Sequence, residues 1–366
     1  MLDYRVKNAG EIPTPALLVY KEAVAHNIRA IGDMMGGYAR LRPHIKTHKM
    51  SQIARMEMDE GIDKFKCATP KEAAMLAAIG ATDVLISYHI VGANIGRVVD
   101  LKRLYPDTDL KVIADDADNI QALSDACASA DVILGVMVDV NTGMDRTGAL
   151  PGAPSLALSQ QIAQSPGLHF AGLHVYDGHV GDFDADMRQK TAFESIERAV
   201  KTRCLIEQSG IEVEKLVASG SPGFEHTQRV DGVDEVSPGT WIFWDMGYGD
   251  KLQSPFEWAA LVLSSVISTT RADLITLDAG SKSVAPDTPA PHFRAMGLPD
   301  DIAFVRRNEE HQLLQLPEGT PRPRVGDQFY LVPRHVCTTV NLWDEVCVID
   351  ENGMFVETWA VDARGH

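Results

Sequence analysis

Over the first two-thirds of the chain, short runs of β-branched and other apolar residues alternate with stretches whose apolar positions recur at helical spacing. Eight runs read as strands, at 15–20, 41–46, 64–68, 83–88, 111–115, 132–138, 168–176 and 215–219. Amphipathic segments at 21–35, 50–60, 70–79, 93–104, 117–128, 154–164 and 184–207 lie between them. The strands are nearly unbroken apolar runs, as burial of both faces in a parallel sheet requires. Thr69-Pro70-Lys71-Glu72 has the form of a capping box with proline at the first helical position. Eight βα units predict an α/β fold in which residues 12–255 form a (β/α)8 TIM barrel rather than an open sheet. Beyond residue 255 the texture changes. Strands at 259–268, 274–278, 328–333, 345–349 and 354–360, joined by Pro- and Gly-rich turns, predict a C-terminal mostly-β domain over 256–366. Residues 1–11 are left free to join it.

Composition narrows the class. The 366 residues carry 34 Lys+Arg against 51 Asp+Glu, a net charge of −17, so the surface repels phosphate backbones and no nucleic-acid partner is expected. No uncharged apolar run reaches the ~20 residues of a membrane helix, and the start of the chain lacks an apolar signal region. The five cysteines, at 67, 127, 204, 337 and 347, are odd in number and scattered, which fits reduced thiols and a cytoplasmic location. The charge is uneven, however. Between Asp33 and Glu57 there is no acidic residue, while Arg40, Arg42, Lys46, Lys49 and Arg55 occupy that gap with His44 and His48. A basic island in an acidic chain points to an anionic ligand.

In a barrel, chemistry gathers at the carboxyl ends of strands. A lysine there, among other cations, suits Schiff-base formation, because neighbouring charge and burial favour the neutral, nucleophilic amine. Lys46 and Lys49 both meet this description, and plain surface charge is the alternative for each. Other strand ends run into Asn141-Thr142-Gly143-Met144-Asp145-Arg146-Thr147-Gly148, His174-Val175-Tyr176-Asp177-Gly178-His179 and Ser219-Gly220-Ser221-Pro222-Gly223. The small residues of the last segment let backbone N–H groups approach an anion. His335 and Cys337, two apart on an expected strand, face the same way and can reach one cation.

The ordered set RPHIKTHK, NTGMDRTG, HVYDGH, SGSPG, VSPGTWIFWD, LDAGSKS and PRHVCTTVNLWD resembles the D-threonine aldolase/D-serine dehydratase family, pyridoxal-phosphate (PLP) enzymes of the alanine-racemase type. The likeness runs from about Thr14 to Trp343. It implies that Lys46, with Lys49 as rival, holds the PLP and that Arg146 lies near its phenolate oxygen. Tyr176 would touch the ring, and Ser219, Gly220, Ser221, Gly239 and Thr240 would cup the phosphate. His179 is the implied general base, with His174 as the alternative. His335 and Cys337 would bind a divalent metal (Mn, Zn or Mg), a thiolate favouring zinc, with Asp344, His311 and Glu310 as outer groups. The implied activity is retro-aldol cleavage of D-3-hydroxy-amino acids to glycine and an aldehyde. Dehydration of D-serine or 3-hydroxy-D-aspartate by the same groups is the alternative, to which His-x-Cys points. A non-catalytic PLP-carrier barrel is a third reading, against which the second domain counts. The family also implies a homodimer.

Overall fold

The computed structural model describes residues 3–182 and 184–366. The chain folds as two compact units. One holds residues 32–46 and 54–239, and the other holds 3–31, 47–53 and 240–365.

The first unit is built on a parallel sheet of seven strands in sequence order, β2 (Lys64–Cys67), β3 (Asp83–His89), β4 (Asp109–Ala114), β5 (Leu134–Val140), β6 (Leu168–Val175), β7 (Lys215–Ala218) and β8 (Glu235–Val236). The label β1 belongs to Ala16–Tyr20 in the second unit. Helices Pro70–Ala78, Ala93–Leu104, Ala117–Ser129, Ala153–Gln164 and Ala185–Gln208 follow β2 to β6 in turn. The capping box forms: Thr69 Oγ1 accepts the Glu72 N–H at 3.1 Å, and the Glu72 carboxylate reaches back to the Ala68 N–H at 2.6 Å. Asp116 and Asp184 cap the third and fifth of these helices, their carboxylates accepting the Asn119 and Met187 N–H groups.

The segment 41–46 is not the strand expected for it. Leu41 bridges Val236 of β8 and His44 bridges Lys66 of β2, so these residues join the two edges of the sheet and take the eighth place in the barrel. The reason is Pro43. It has no N–H to donate, so the ladder reduces to Arg42 N–H to the Val236 carbonyl, His44 N–H to the Pro238 carbonyl, and Lys66 N–H to the Pro43 carbonyl. Inside the barrel, Leu85, Ile113, Met137, Ala171 and Val217, one from each of β3 to β7, form a buried apolar cluster.

The second unit gathers segments from both sides of the expected division between 12–255 and 256–366. Strand β1, expected to open the barrel, pairs antiparallel with β9 (Ala260–Arg271) and parallel with β15 (Glu345–Ile349). All five of its residues are buried, a pattern that suits any doubly covered strand and does not say which sheet receives it. The sheet also contains β10 (Leu274–Leu277), β11 (Phe293–Ala295), β12 (Ala303–Arg307), β13 (Gln312–Gln315), β14 (Gln328–Pro333) and β16 (Phe355–Ala360). Residues 3–11 and 240–255 also fall in this unit. No helix among the described residues is long and apolar enough to cross a membrane.

Candidate active site

A cavity of about 690 Å³ opens at the carboxyl ends of the barrel strands, and three basic side chains meet there around one aromatic ring. The Nζ atoms of Lys46 and Lys66 each lie 5.9 Å from the centroid of the Tyr176 ring, and Cζ of Arg146 lies 4.9 Å from it. Among the described residues none of the three is paired with a carboxylate. Lys46 sits in the short 3-10 helix Ile45–Thr47, its N–H directed at His44 Nδ1 (3.4 Å). Tyr176 follows β6 directly and is held between two glycines. A Cβ on Gly178 would come within 2.4 Å of its ring, and one on Gly220 within 2.7 Å, so only glycine leaves the ring its place.

Beside the cations the cavity is lined by His174 and Asp139. His174 Nδ1 donates to Asp139 Oδ1 at 2.7 Å, and the other Asp139 oxygen accepts from the Thr147 hydroxyl at 2.9 Å. His174 Nε2 is buried and has no hydrogen-bond partner among the described residues. Burial, and then the nearby Lys66 charge, push His174 down to about 4 against the pull of Asp139, so the imidazole is neutral at pH 7. Lys66, wholly buried, is itself pushed down to about 7 by burial and then by Lys46. His89 Nε2 lies 3.1 Å from Asp115 Oδ1, and one ligand atom each of His89, Asp115 and Asp139 fall within 4.8 Å of one another.

The other expected residues divide. Lys49 is buried in the second unit, where its carbonyl accepts the Ala363 N–H, and it does not line the cavity. His179 lies in the 3-10 helix Gly178–Asp182 and does not line it either, whereas His174 does. Ser219, at φ 69°, gives its hydroxyl to Asp177 at 2.9 Å, and the Gly220 N–H goes to the same carboxylate at 2.9 Å. Two groups expected at a phosphate are thus turned to a buried side chain, whose carboxyl burial pushes up despite these bonds. Gly239 donates its N–H to Ser221 Oγ at 3.2 Å. Thr240 opens a 3-10 helix in the second unit, its hydroxyl 3.7 Å from Cys337 Sγ.

His335 and Cys337 are not on a strand. The chain turns after β14, making His335 the N-cap and Cys337 the second residue of the short helix Val336–Val340. His335 Nδ1 is 2.5 Å from Asp287 Oδ2, and Cys337 Sγ is 3.2 Å from the Thr47 hydroxyl. Burial lowers the His335 pKa, but hydrogen bonding and charge from Cys337, and then Asp287, outweigh it and push it up to about 9. Buried Asp245 accepts the Val336 N–H between the pair at 3.1 Å. The carboxylates hydrogen-bonded at this pair are Asp287 and Asp245. Asp344 instead pairs with Arg364, and Glu310 with Lys282.

Residues 19–246 match the alanine racemase, N-terminal domain family, and residues 259–349 match a putative serine dehydratase domain. A D-threonine aldolase of Arthrobacter sp. is 30% identical over 97% of this chain and 93% of that protein. A 3-hydroxy-D-aspartate aldolase of Paracoccus denitrificans (strain Pd 1222) is 28% identical over the same shares. The crystal structure of D-threonine aldolase from Filomicrobium marinum superposes with a TM-score of 0.90 at 31% identity, covering 97% of this chain and 96% of that one. The chain belongs to the D-threonine aldolase/D-serine dehydratase family of PLP-dependent lyases. The cavity fits that cofactor. An amine is present for its aldehyde, two further cations lack carboxylate partners that would compete with its negative charges, and an aromatic ring stands among them. The His335–Cys337 pair fits a metal: an imidazole oriented by a carboxylate on its far nitrogen, with a thiol beside it, is a familiar ligand arrangement. Sequence reading missed Lys66 and Asp287, and it placed Asp139 at a strand end without giving it a role. Of the two missed, only Lys66 carried a signal, as a charged residue inside a run expected to be buried on both faces.

Proposed function

We propose that the protein is a PLP- and divalent-metal-dependent lyase that cleaves D-3-hydroxy-amino acids, D-threonine among them, to glycine and an aldehyde. The observation that carries this reading is the gathering of Lys46, Arg146 and the His174–Asp139 pair in one cavity around Tyr176. PLP, when bound, supplies the electron sink for the negative charge left at Cα when a bond to it breaks. Lys46 would be its covalent anchor, and Arg146 would hold negative charge at its phenolate oxygen. Tyr176, which lines the cavity, would pack against the cofactor. Of the residues expected to cup the phosphate, Ser221, Gly239 and Thr240 would do so, while the Ser219 hydroxyl and the Gly220 N–H would have to turn from Asp177 to reach it. His174 takes the 3-hydroxyl proton at Nε2: Asp139 fixes its Nδ1–H tautomer, which leaves that lone pair open. This assigns to His174 the role for which His179 is the other candidate. His335 and Cys337 would hold the metal, which as a Lewis acid lowers the pKa of a hydroxyl. The protein works as a cytoplasmic homodimer.

Dehydration is the second reading. The match of residues 259–349 to a putative serine dehydratase domain, together with the Cys337 thiol, favours it. Product analysis separates the two. D-threonine, D-serine and D-3-hydroxyaspartate are incubated with PLP and Mn²⁺, Zn²⁺ or Mg²⁺, scoring glycine plus aldehyde against ammonia plus keto acid. Glycine from D-threonine is the expected result, and ammonia from D-serine without it sinks the aldolase reading. For the metal, His335→Ala should remove the activation by added metal, and Asp287→Ala should weaken metal affinity by about 10- to 100-fold. Full activity in excess chelator would defeat that assignment.

A further inference from the structure

Lys66 lies where the barrel is otherwise apolar. It stands in register with Leu85, a member of the buried cluster to which each of β3 to β7 contributes one aliphatic or methionine side chain. It is only 2% exposed, yet it lines the same cavity as Lys46 and Arg146. The charged and titratable groups around it are Arg42 and Lys46 from the closing segment, Arg146, Asp139 on β5, and His174 and Asp177 at β6. Both carboxylates are engaged elsewhere, Asp139 by His174 and Thr147, and Asp177 by Ser219 and Gly220. Among the described residues an ammonium here therefore has no carboxylate of its own, and Lys46 beside it opposes its charge.

We propose that Lys66 is the anion-binding cation of this cavity, a neutral amine in the free protein that takes up one solvent proton when a phosphate or carboxylate oxygen enters beside it. No covalent bond forms or breaks; the proton passes from solvent to Nζ, and the resulting ammonium is paired by the arriving anion. The depressed pKa of about 7 agrees with this, since the lowering by burial and by Lys46 is relieved once an anion sits alongside. Ligand affinity and protonation are then linked. The anion is either the phosphate of the cofactor or a carboxylate of the substrate. The inference rests on the cavity being the ligand site of the proposed lyase.

Calorimetric titrations in two buffers of different protonation enthalpy, between about pH 6 and pH 9, count the protons. Apoprotein is titrated with inorganic phosphate and with PLP, and PLP-loaded protein with D-threonine, for the wild type, Lys66→Arg and Lys66→Met. Above about pH 7 the wild type should take up about one proton more per ligand than Lys66→Arg, and its affinity should fall about tenfold per pH unit relative to that variant. Lys66→Met should bind weakly without the extra proton, while its apoprotein melts at a higher temperature because the buried amine is gone. Extra uptake on PLP addition assigns the anion to the cofactor, and uptake on D-threonine addition assigns it to the substrate. Equal uptake by the wild type and both variants in all three titrations overturns the proposal. Failure of PLP to bind, with Lys66-dependent uptake of phosphate intact, would instead overturn the cofactor reading and leave the anion site standing.

Discussion

At the amino ends of the barrel strands, buried Arg42 lies 2.7 Å from Asp83 and 2.6 Å from Glu235, while Lys111 reaches Asp83 at 2.9 Å and Lys64 reaches Glu235 at 3.2 Å. At the carboxyl ends, Lys46, Lys66 and Arg146 surround Tyr176, and among the described residues no carboxylate is bound to any of them. The two ends share a barrel and opposite electrostatics. Burying a charge is costly unless it is paired, so the paired end is self-sufficient and the unpaired end is complete only with a ligand. Charge at the bottom of such a barrel serves stability, and charge at the top serves chemistry. The difference predicts that substitutions at the two ends fail in different assays.

The largest effect belongs to the unpaired end. Lys46→Ala should lower kcat/KM by on the order of 10⁴-fold or more and abolish the visible absorption of the PLP-loaded protein, with its melting temperature little changed in the apo form. A retained visible band would move the anchor to another lysine. At the paired end the expectation is reversed. Arg42→Met leaves Asp83 and Glu235 without their buried partner and should cost about 3–5 kcal/mol of stability, read by denaturant unfolding. A fold as stable as the wild type would mean that the bottom network is not structural, and the contrast between the ends would collapse.

Much of this arrangement is legible in the sequence, because helix caps and parallel strands are local. Thr69-Pro70-Lys71-Glu72 announces its helix, and the strand runs from 64 to 219 fall where the barrel strands form. Lys46, Arg146 and Tyr176 are legible for a different reason: they occupy strand ends, where a barrel collects chemistry. What escapes is long-range. Strand β1 is apolar on both faces, and nothing within it says that its partners lie more than 200 residues away in β9 and β15. Asp287 is 48 residues from His335, and Asp139 is 35 from His174, so neither pair has a spacing that could mark it. The choice between His174 and His179 depends on which side of the turn after β6 faces the cavity, which five residues of sequence do not encode.

Acid should separate the two ends by pH. His174 has its folded pKa depressed from 6.5 to about 4, so between those values the unfolded chain binds the proton and the folded one does not; stability is lost as pH falls through that window. Burial raises the Asp83 pKa, but its hydrogen bonds and charge contact with Arg42, and then Lys111, outweigh this and bring it to about 2 from 3.8. Its contribution is whole above 3.8 and disappears as pH falls toward 2. Each shift corresponds to roughly 2–4 kcal/mol, so unfolding free energy measured against pH should show an upper slope from the cavity and a lower slope from the paired network. His174→Gln should flatten only the upper slope, and Asp83→Asn only the lower. A single slope unchanged by either substitution would mean that neither group's ionisation is coupled to folding, whatever its neighbours.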